Sequence, residues 1–153
     1  MTINPTTING GAHGTVMGEV NLSYIVTFPP TYSQEEMFSI IEETVMSAAN
    51  ADRWLRDNPP ILTKKSGMDG FRTPADHPAI PVMEKAFEEA LGRPAGVSGW
   101  KPQCDGTWIS PYAPCVVFGP QPPGTHSANE RITLHEVLEC AKVFASMAMD
   151  YCK

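Results

Sequence analysis

From Glu19 to Phe28 the chain alternates: Val20, Leu22, Tyr24, Val26 and Phe28 are apolar, Glu19, Asn21, Ser23 and Thr27 are polar, and Ile25 breaks the polar set. A period of two predicts a strand half-buried in an antiparallel sheet, ended by Pro29-Pro30. A short extended piece near Thr6–Ile8 is expected before it, followed by Asn9-Gly10-Gly11, a turn signal that needs positive φ. The period then changes. Ser33 with Glu36 three residues on is a capping box. Met37, Ile40, Ile41, Thr44, Val45 and Ala48 follow at helical spacing, so a helix is predicted to run to about Arg56, where Asn58-Pro59-Pro60 stops it. Ile61-Leu62-Thr63 has the pattern of a short returning strand. Residues 1–65 thus read as one lobe, a sheet with one helix on it.

Residues 66–153 read as a second lobe of alternating α and β type. After a loop from Gly67 to Pro78, Ile80, Val82, Met83, Ala86, Phe87, Ala90 and Leu91 predict a helix over Ala79–Leu91, with Gly92 as its stop. Cys115-Val116-Val117-Phe118 is a continuous apolar run between Pro114 and Gly119, the pattern of a parallel strand buried on both faces. Thr133 with Glu136 is a second capping box. It opens a last helix whose core face is predicted as Leu134, Val137, Leu138, Ala141, Phe144, Ala148 and Tyr151. The loop from Gly119 to Glu130 lies after a strand and before a helix, where α/β sheets bind ligands.

Composition narrows the functional classes. The 153 residues carry eleven Lys+Arg against seventeen Asp+Glu, a formal charge of −6, and no basic run longer than Lys64-Lys65. Nothing here neutralises a row of phosphates, so neither nucleic acid nor an anionic membrane is an expected partner. No apolar stretch approaches the roughly 20 residues that span a bilayer, and the first residues lack the pattern of a secretion signal, so a soluble, cytoplasmic protein is expected. Cys104, Cys115, Cys140 and Cys152 show no C-x-x-C spacing and are expected as reduced thiols. Fifteen residues are proline, ten of them between Pro74 and Pro123, and such stiffened irregular backbone is where binding loops tend to lie.

His126 is the leading candidate for chemistry. It sits in a Gly/Pro-framed loop at the end of the apolar run, with Ser127, Asn129 and Glu130 beside it. A neutral imidazole there can ligate zinc or act as a general base, although a loop histidine is more often simply solvated. His13 reads as a turn residue, His77 as part of the approach to a helix with Asp76 as the capping group, and His135 as surface. Asp105 is placed either to orient a ligand or to cap the turn after it. Cys104 with His126 suggests a cysteine hydrolase, but no basic neighbour is in place to lower the thiol pKa. One histidine and scattered carboxylates do not complete a hydrolytic metal site.

From Cys104 to Cys152 the chain resembles the C-terminal end of the zinc-dependent aminoacylase / acetylornithine deacetylase / succinyl-diaminopimelate desuccinylase / carboxypeptidase family. The carrying residues are Cys104-Asp105-Gly106-Thr107-Trp108, Pro114-Cys115-Val116-Val117-Phe118-Gly119-Pro120 and His126-Ser127-Ala128-Asn129-Glu130. Upstream, Asn9-Gly10-Gly11, Thr15-Val16-Met17-Gly18-Glu19 and the strand into Phe28-Pro29-Pro30 resemble the second half of the family's lid, or dimerisation, domain.

The resemblance implies an α/β chain. Residues 1–65 would be a partial lid, an α+β half with a ferredoxin-like antiparallel sheet and a helix. Residues 66–153 would be the end of a zinc-exopeptidase-like catalytic domain. It implies two zinc ions per complete site, with cobalt or manganese as alternatives, a glutamate base, and hydrolysis of an N-acyl amino acid or small peptide. His126 maps onto a metal ligand and Glu130 onto an orienting acid. Asp105 and Gly106 map onto a substrate-proximal loop, where Gln103 and Cys104 would line the pocket. The family's H-x-D pair, bridging aspartate and Glu-Glu pair lie upstream of the lid, and no such segment occurs in these 153 residues, so the general base is expected outside them. Thr15 and Thr107 also stand where the family often has asparagine and arginine. The chain is therefore expected to be the C-terminal portion of a metal-dependent amide hydrolase, inactive alone and dimeric through the lid. The alternative is a non-catalytic association module with an uncovered sheet face.

Overall fold

Two antiparallel strands and five helices make up a chain of α/β class, described here from a computed structural model for residues 1–11, 14, 17–120 and 122–152. The turn reading of His13 and the Thr15-Val16 part of the lid motif lie outside the described residues. The chain divides into two units, residues 1–71 with 101–107, and residues 72–100 with 108–153.

In the first unit, β1 (Thr2–Gly10) pairs with β2 (Val20–Thr27) in a register running from Thr2 opposite Thr27 to Gly10 opposite Val20, with an irregularity between Pro5 and Thr7. β1 is longer than the piece expected near Thr6–Ile8. Gly11 takes the positive φ that the turn signal requires, +82°. The alternation of β2 is present, but its burial is not: Val20, Leu22 and Tyr24 stand half-exposed, and partial cover reaches only Ser23 and the end from Val26 to Phe28.

α1 (Gln34–Ala51) starts at the expected capping box, Ser33 and Glu36 bonding reciprocally. Asp69 adds a second acceptor, its Oδ1 taking the Gln34 N–H at 2.7 Å. The helix does not run on to Arg56. Asp52 turns extended (φ −92°, ψ 134°) and its carboxylate accepts the N–H groups of Trp54 and Leu55, which opens a separate helix, α2 (Arg53–Asp57). A side chain that satisfies two orphan donors of a new helix competes directly with continuing the old one. Ile61-Leu62-Thr63 forms no strand. Pro59 and Pro60 remove the N–H groups that would begin a ladder, and Ile61 is left 94% exposed.

The second unit is built on α3 (Ala79–Leu91) against α5 (Leu134–Tyr151), joined by Lys85–Asp150 and Arg93–Glu139 ion pairs, each at 3.5 Å. Both helices begin where the sequence places them, and Gly92 ends α3 at φ +67°. Asp76 does not cap α3. The N–H of Ala79 is taken instead by Nδ1 of His77, at 3.2 Å.

Two expectations fail here. Residues 115–118 are not a strand, and among the described residues there is no third strand and no parallel edge. A run patterned for neighbours on both sides has none to pair with. The face of α5 is also reversed. Val143 is its buried residue, flanked by the half-buried Cys140 and Met147, whereas Leu134, Leu138, Phe144 and Tyr151 are exposed. The buried residues among those described are Met37, Ala49, Ala86 and Val143, a small core for a chain this long. All four cysteines are free thiols, three half-buried and Cys152 exposed.

Candidate functional site

The loop ahead of α5 is held by its own backbone. Ser127 donates to the Gly124 carbonyl twice, from N–H at 2.9 Å and from its hydroxyl at 2.6 Å, and Glu130 N–H donates to the Ser127 carbonyl at 3.2 Å. Thr125 ties the start of the turn to the Pro122 carbonyl at 2.9 Å. A Cβ at position 124 would lie 2.8 Å from the Ser127 hydroxyl, and φ there is +79°, so glycine fits both the space and the conformation.

His126 occupies the third position of the Gly124–Ser127 turn with φ +61°, the one described non-glycine residue in that region. A turn with negative φ at its second position and positive φ at its third is of type II and favours glycine or asparagine at the third. A histidine there costs roughly 1–2 kcal/mol. The offsetting contact comes from Glu130, whose Oε2 accepts the His126 N–H at 3.0 Å. The imidazole lies on the exposed surface, on a backbone fixed from both sides.

The apolar run that leads to this loop is anchored by a residue that no local pattern in the sequence marks. Thr73 Oγ1 donates to the Cys115 carbonyl and accepts the Cys115 N–H at 3.2 Å. Phe118 then makes edge-to-face contacts with Phe87 of α3 and Phe144 of α5, at 6.0 and 5.3 Å between centroids.

Gln103, Cys104, Asp105 and Gly106 belong to the first unit, whereas His126 and Glu130 belong to the second. Gln103 and Asp105 are exposed and Cys104 half-buried. Asp105 stands immediately before α4 (Gly106–Ile109), where the Cys104 carbonyl accepts the Thr107 N–H at 3.2 Å. Gly106 faces Phe71: an added Cβ would sit 2.7 Å from the ring. Packing alone thus requires a glycine at this position, a reason that spacing in the sequence does not reveal. His135 makes a surface contact with Glu139, 3.5 Å away one helical turn on.

Among the described residues, no group of three or more His, Cys, Asp and Glu side chains is placed to hold a metal ion. A zinc site needs three or four protein ligands. His126 offers one nitrogen, and the Glu130 oxygen nearest it is engaged by a main-chain N–H. These residues do not by themselves hold zinc, cobalt or manganese. Nor is any described helix long and apolar enough to cross a membrane.

Sequence comparison finds the chain similar to enzymes named for removing an acyl group from nitrogen. The chain is 27% identical to an N-formyl-4-amino-5-aminomethyl-2-methylpyrimidine deformylase of Halalkalibacterium halodurans, over 99% of its own length and 38% of the relative's. The deformylase of the same name from Bacillus subtilis is also 27% identical, with the same coverage. A succinyl-diaminopimelate desuccinylase of a Bradyrhizobium species is 23% identical over 95% of this chain and 37% of its own. The chain therefore spans about two fifths of the length of the amide hydrolases it matches. No protein-family model matches it, and no solved structure does.

Proposed function

We propose that this chain is the His126-bearing portion of a metal-dependent amide hydrolase that removes a small acyl group from an N-acylated substrate, such as an N-acyl amino acid or an N-formyl amine. The observation that supports it most is the end-to-end similarity to two deformylases and a desuccinylase, hydrolases of one bond type. The strained, carboxylate-held turn at His126 agrees with it, since positive φ at a non-glycine residue tends to persist where function requires it. In this reading residues 1–65 are part of a lid and 66–153 the end of a catalytic domain. His126 gives one nitrogen to a zinc site whose other ligands and general base come from outside the chain. Gln103, Cys104, Asp105 and Gly106 border the substrate, and Glu130 orients His126. The half-exposed β2 face favours pairing of two copies through the lid, which light scattering would show as a dimer.

The test replaces the matched two fifths of the Bacillus subtilis deformylase with this chain. The chimera is expected to hydrolyse an N-formyl amine in a zinc-dependent way, and His126→Ala is expected to lower the rate at least about 1,000-fold. The 153-residue chain alone is expected to show neither activity nor a tight zinc site by calorimetry. A chimera indifferent to His126→Ala would sink the reading.

A further inference from the structure

Residues 61–71 lead out of α2 as neither helix nor strand, yet contacts with the segment around the start of α1 hold them. Lys64 Nζ lies 2.8 Å from Glu35 Oε1. Asp69 Oδ1 takes the Gln34 N–H, one of the first-turn donors that no carbonyl within the helix can reach. Gly70 rests on Pro30 so closely that a Cβ there would sit 3.0 Å from Pro30 Cβ and 3.1 Å from its Cα. An irregular segment has no backbone ladder of its own, so anchors of this kind decide where it runs.

Phe71 follows directly, and its half-buried ring meets the Gln103–Gly106 loop within the same unit. A Cβ at position 106 would lie 2.7 Å from ring Cζ, 2.8 Å from Cε1 and 3.4 Å from Cys104 Sγ. Ring, thiol and glycine backbone therefore close on one small space. Gln103 and Asp105 are exposed while Cys104 and Gly106 are half-buried, so the loop is fastened on the Phe71 side and open on the other. Backbone packed this closely on a ring cannot move towards it, and a smaller side chain at 71 would leave a void into which the loop can shift.

We propose that Phe71 is a positioning residue: its ring fixes the Gln103–Gly106 loop and, through it, the affinity for the amide substrate. Asp69 and Gly70 hold the ring by tying its backbone to the segment from Pro30 to Gln34. The proposal rests on the hydrolase reading above, in which this loop borders the substrate and supplies no base. A border that holds substrate and transition state alike changes KM and leaves kcat, so Phe71 acts on binding and not on the chemical step. A role in stability alone would leave KM unchanged at a temperature where the variant is folded.

The test puts Phe71→Leu and Asp69→Ala into the 153-residue chain and into the deformylase chimera described above. In the chain, alkylation by iodoacetamide read by peptide mass spectrometry follows the half-buried Cys104 thiol, with Cys115 of the second unit as reference. Phe71→Leu is expected to speed Cys104 about tenfold and Cys115 by less than about twofold. In the chimera, Phe71→Leu is expected to raise KM for the N-formyl amine about tenfold, with kcat within about twofold. Gly106→Ala added to Phe71→Leu fills the vacated space and should bring KM back to within about threefold of the parent. Asp69→Ala should raise both the Cys104 rate and KM about threefold, and Asp69→Asn, which keeps an acceptor oxygen, should stay close to the parent. An unchanged Cys104 rate in Phe71→Leu overturns the proposal, as does a fall in kcat that matches the rise in KM. Asp69 is exposed and its replacement leaves the fold intact, so an Asp69→Ala protein with neither change overturns it as well. A parent chimera that hydrolyses no N-formyl amine rejects the hydrolase reading and the link to substrate with it, while the Cys104 rates still decide whether Phe71 holds the loop, so the two failures are distinguishable.

Discussion

The main-chain N–H of His126 donates to Oε2 of Glu130, four residues on, at 3.0 Å. That bond pins the backbone of a residue whose φ of +61° is unfavourable for histidine. Glu130→Ala is expected to speed amide exchange at His126 by about five- to tenfold while changing global stability by under about 0.5 kcal/mol, because the pair is exposed. Glu130→Gln keeps an acceptor oxygen and should retain most of the protection. Equal exchange rates in all three proteins would show that Glu130 does not hold the turn.

The two capping boxes give the helices an acid-sensitive start. The Thr133 hydroxyl and then its N–H hold the Glu136 carboxyl below its ordinary 4.5, and the Ser33 N–H and then its hydroxyl do the same for Glu36. A carboxyl whose folded pKa is lowered stabilises the fold above its ordinary value and loses that contribution as pH falls through the folded value. Fraying at the starts of α1 and α5 is therefore expected below pH 4.5, increasing with further acidification. Thr133→Ala should cost about 1 kcal/mol near neutrality and flatten the acid response at α5, read by amide exchange at Glu136. An unchanged acid response in that variant would contradict the assignment.

Thr73 satisfies both main-chain groups of Cys115. Thr73→Val, nearly equal in volume, is expected to lower urea stability by about 1–3 kcal/mol, since it leaves a part-buried donor and acceptor without the hydroxyl. Thr73→Ser should recover most of the loss. If valine proves as stable as threonine, water replaces the hydroxyl and the anchor is incidental.

Gly106 and Phe71 make a steric pair. Gly106→Ala puts a methyl group 2.7 Å from the ring and is expected to cost about 1–3 kcal/mol. In a Phe71→Leu background the same substitution should cost less, and the difference, measured as a double-mutant cycle, is the coupling between the two. Additive costs would place the strain elsewhere.

Local signals in the sequence were legible where a single element decides the outcome. Ser33–Glu36, Thr133–Glu136 and Gly92 fix helix ends through bonds or a backbone angle within a few residues. The break at Asp52 was not legible, because the same aspartate serves as a helix residue or as the cap of a new one. The face of α5 is ambiguous in the sequence for a different reason. Both sides of that helix are apolar, and the stripe from Leu134 to Tyr151 is larger than Cys140, Val143 and Met147, while α3 settles which side is buried. Cys115–Phe118 shows the same limit: an apolar run states what it needs beside it, not whether a neighbour is present. Of the candidate site, His126 stood out by its place in a Gly/Pro-framed loop and Glu130 through the family resemblance, and the Glu130 carboxylate accepts the His126 N–H. Thr73 and Phe71 act across distance and left no local signal.

A neighbouring strand normally presents one carbonyl and one N–H to each residue it pairs with. The Thr73 hydroxyl offers Cys115 both functions from a single oxygen, and so imitates one rung of a ladder in a unit that has no strand among its described residues. Fixing a residue's backbone costs about 1–2 kcal/mol, and at this position a side chain, not a strand, supplies the bonds that offset it. The first residue of the run is thereby aligned by one side chain 42 positions earlier in the sequence.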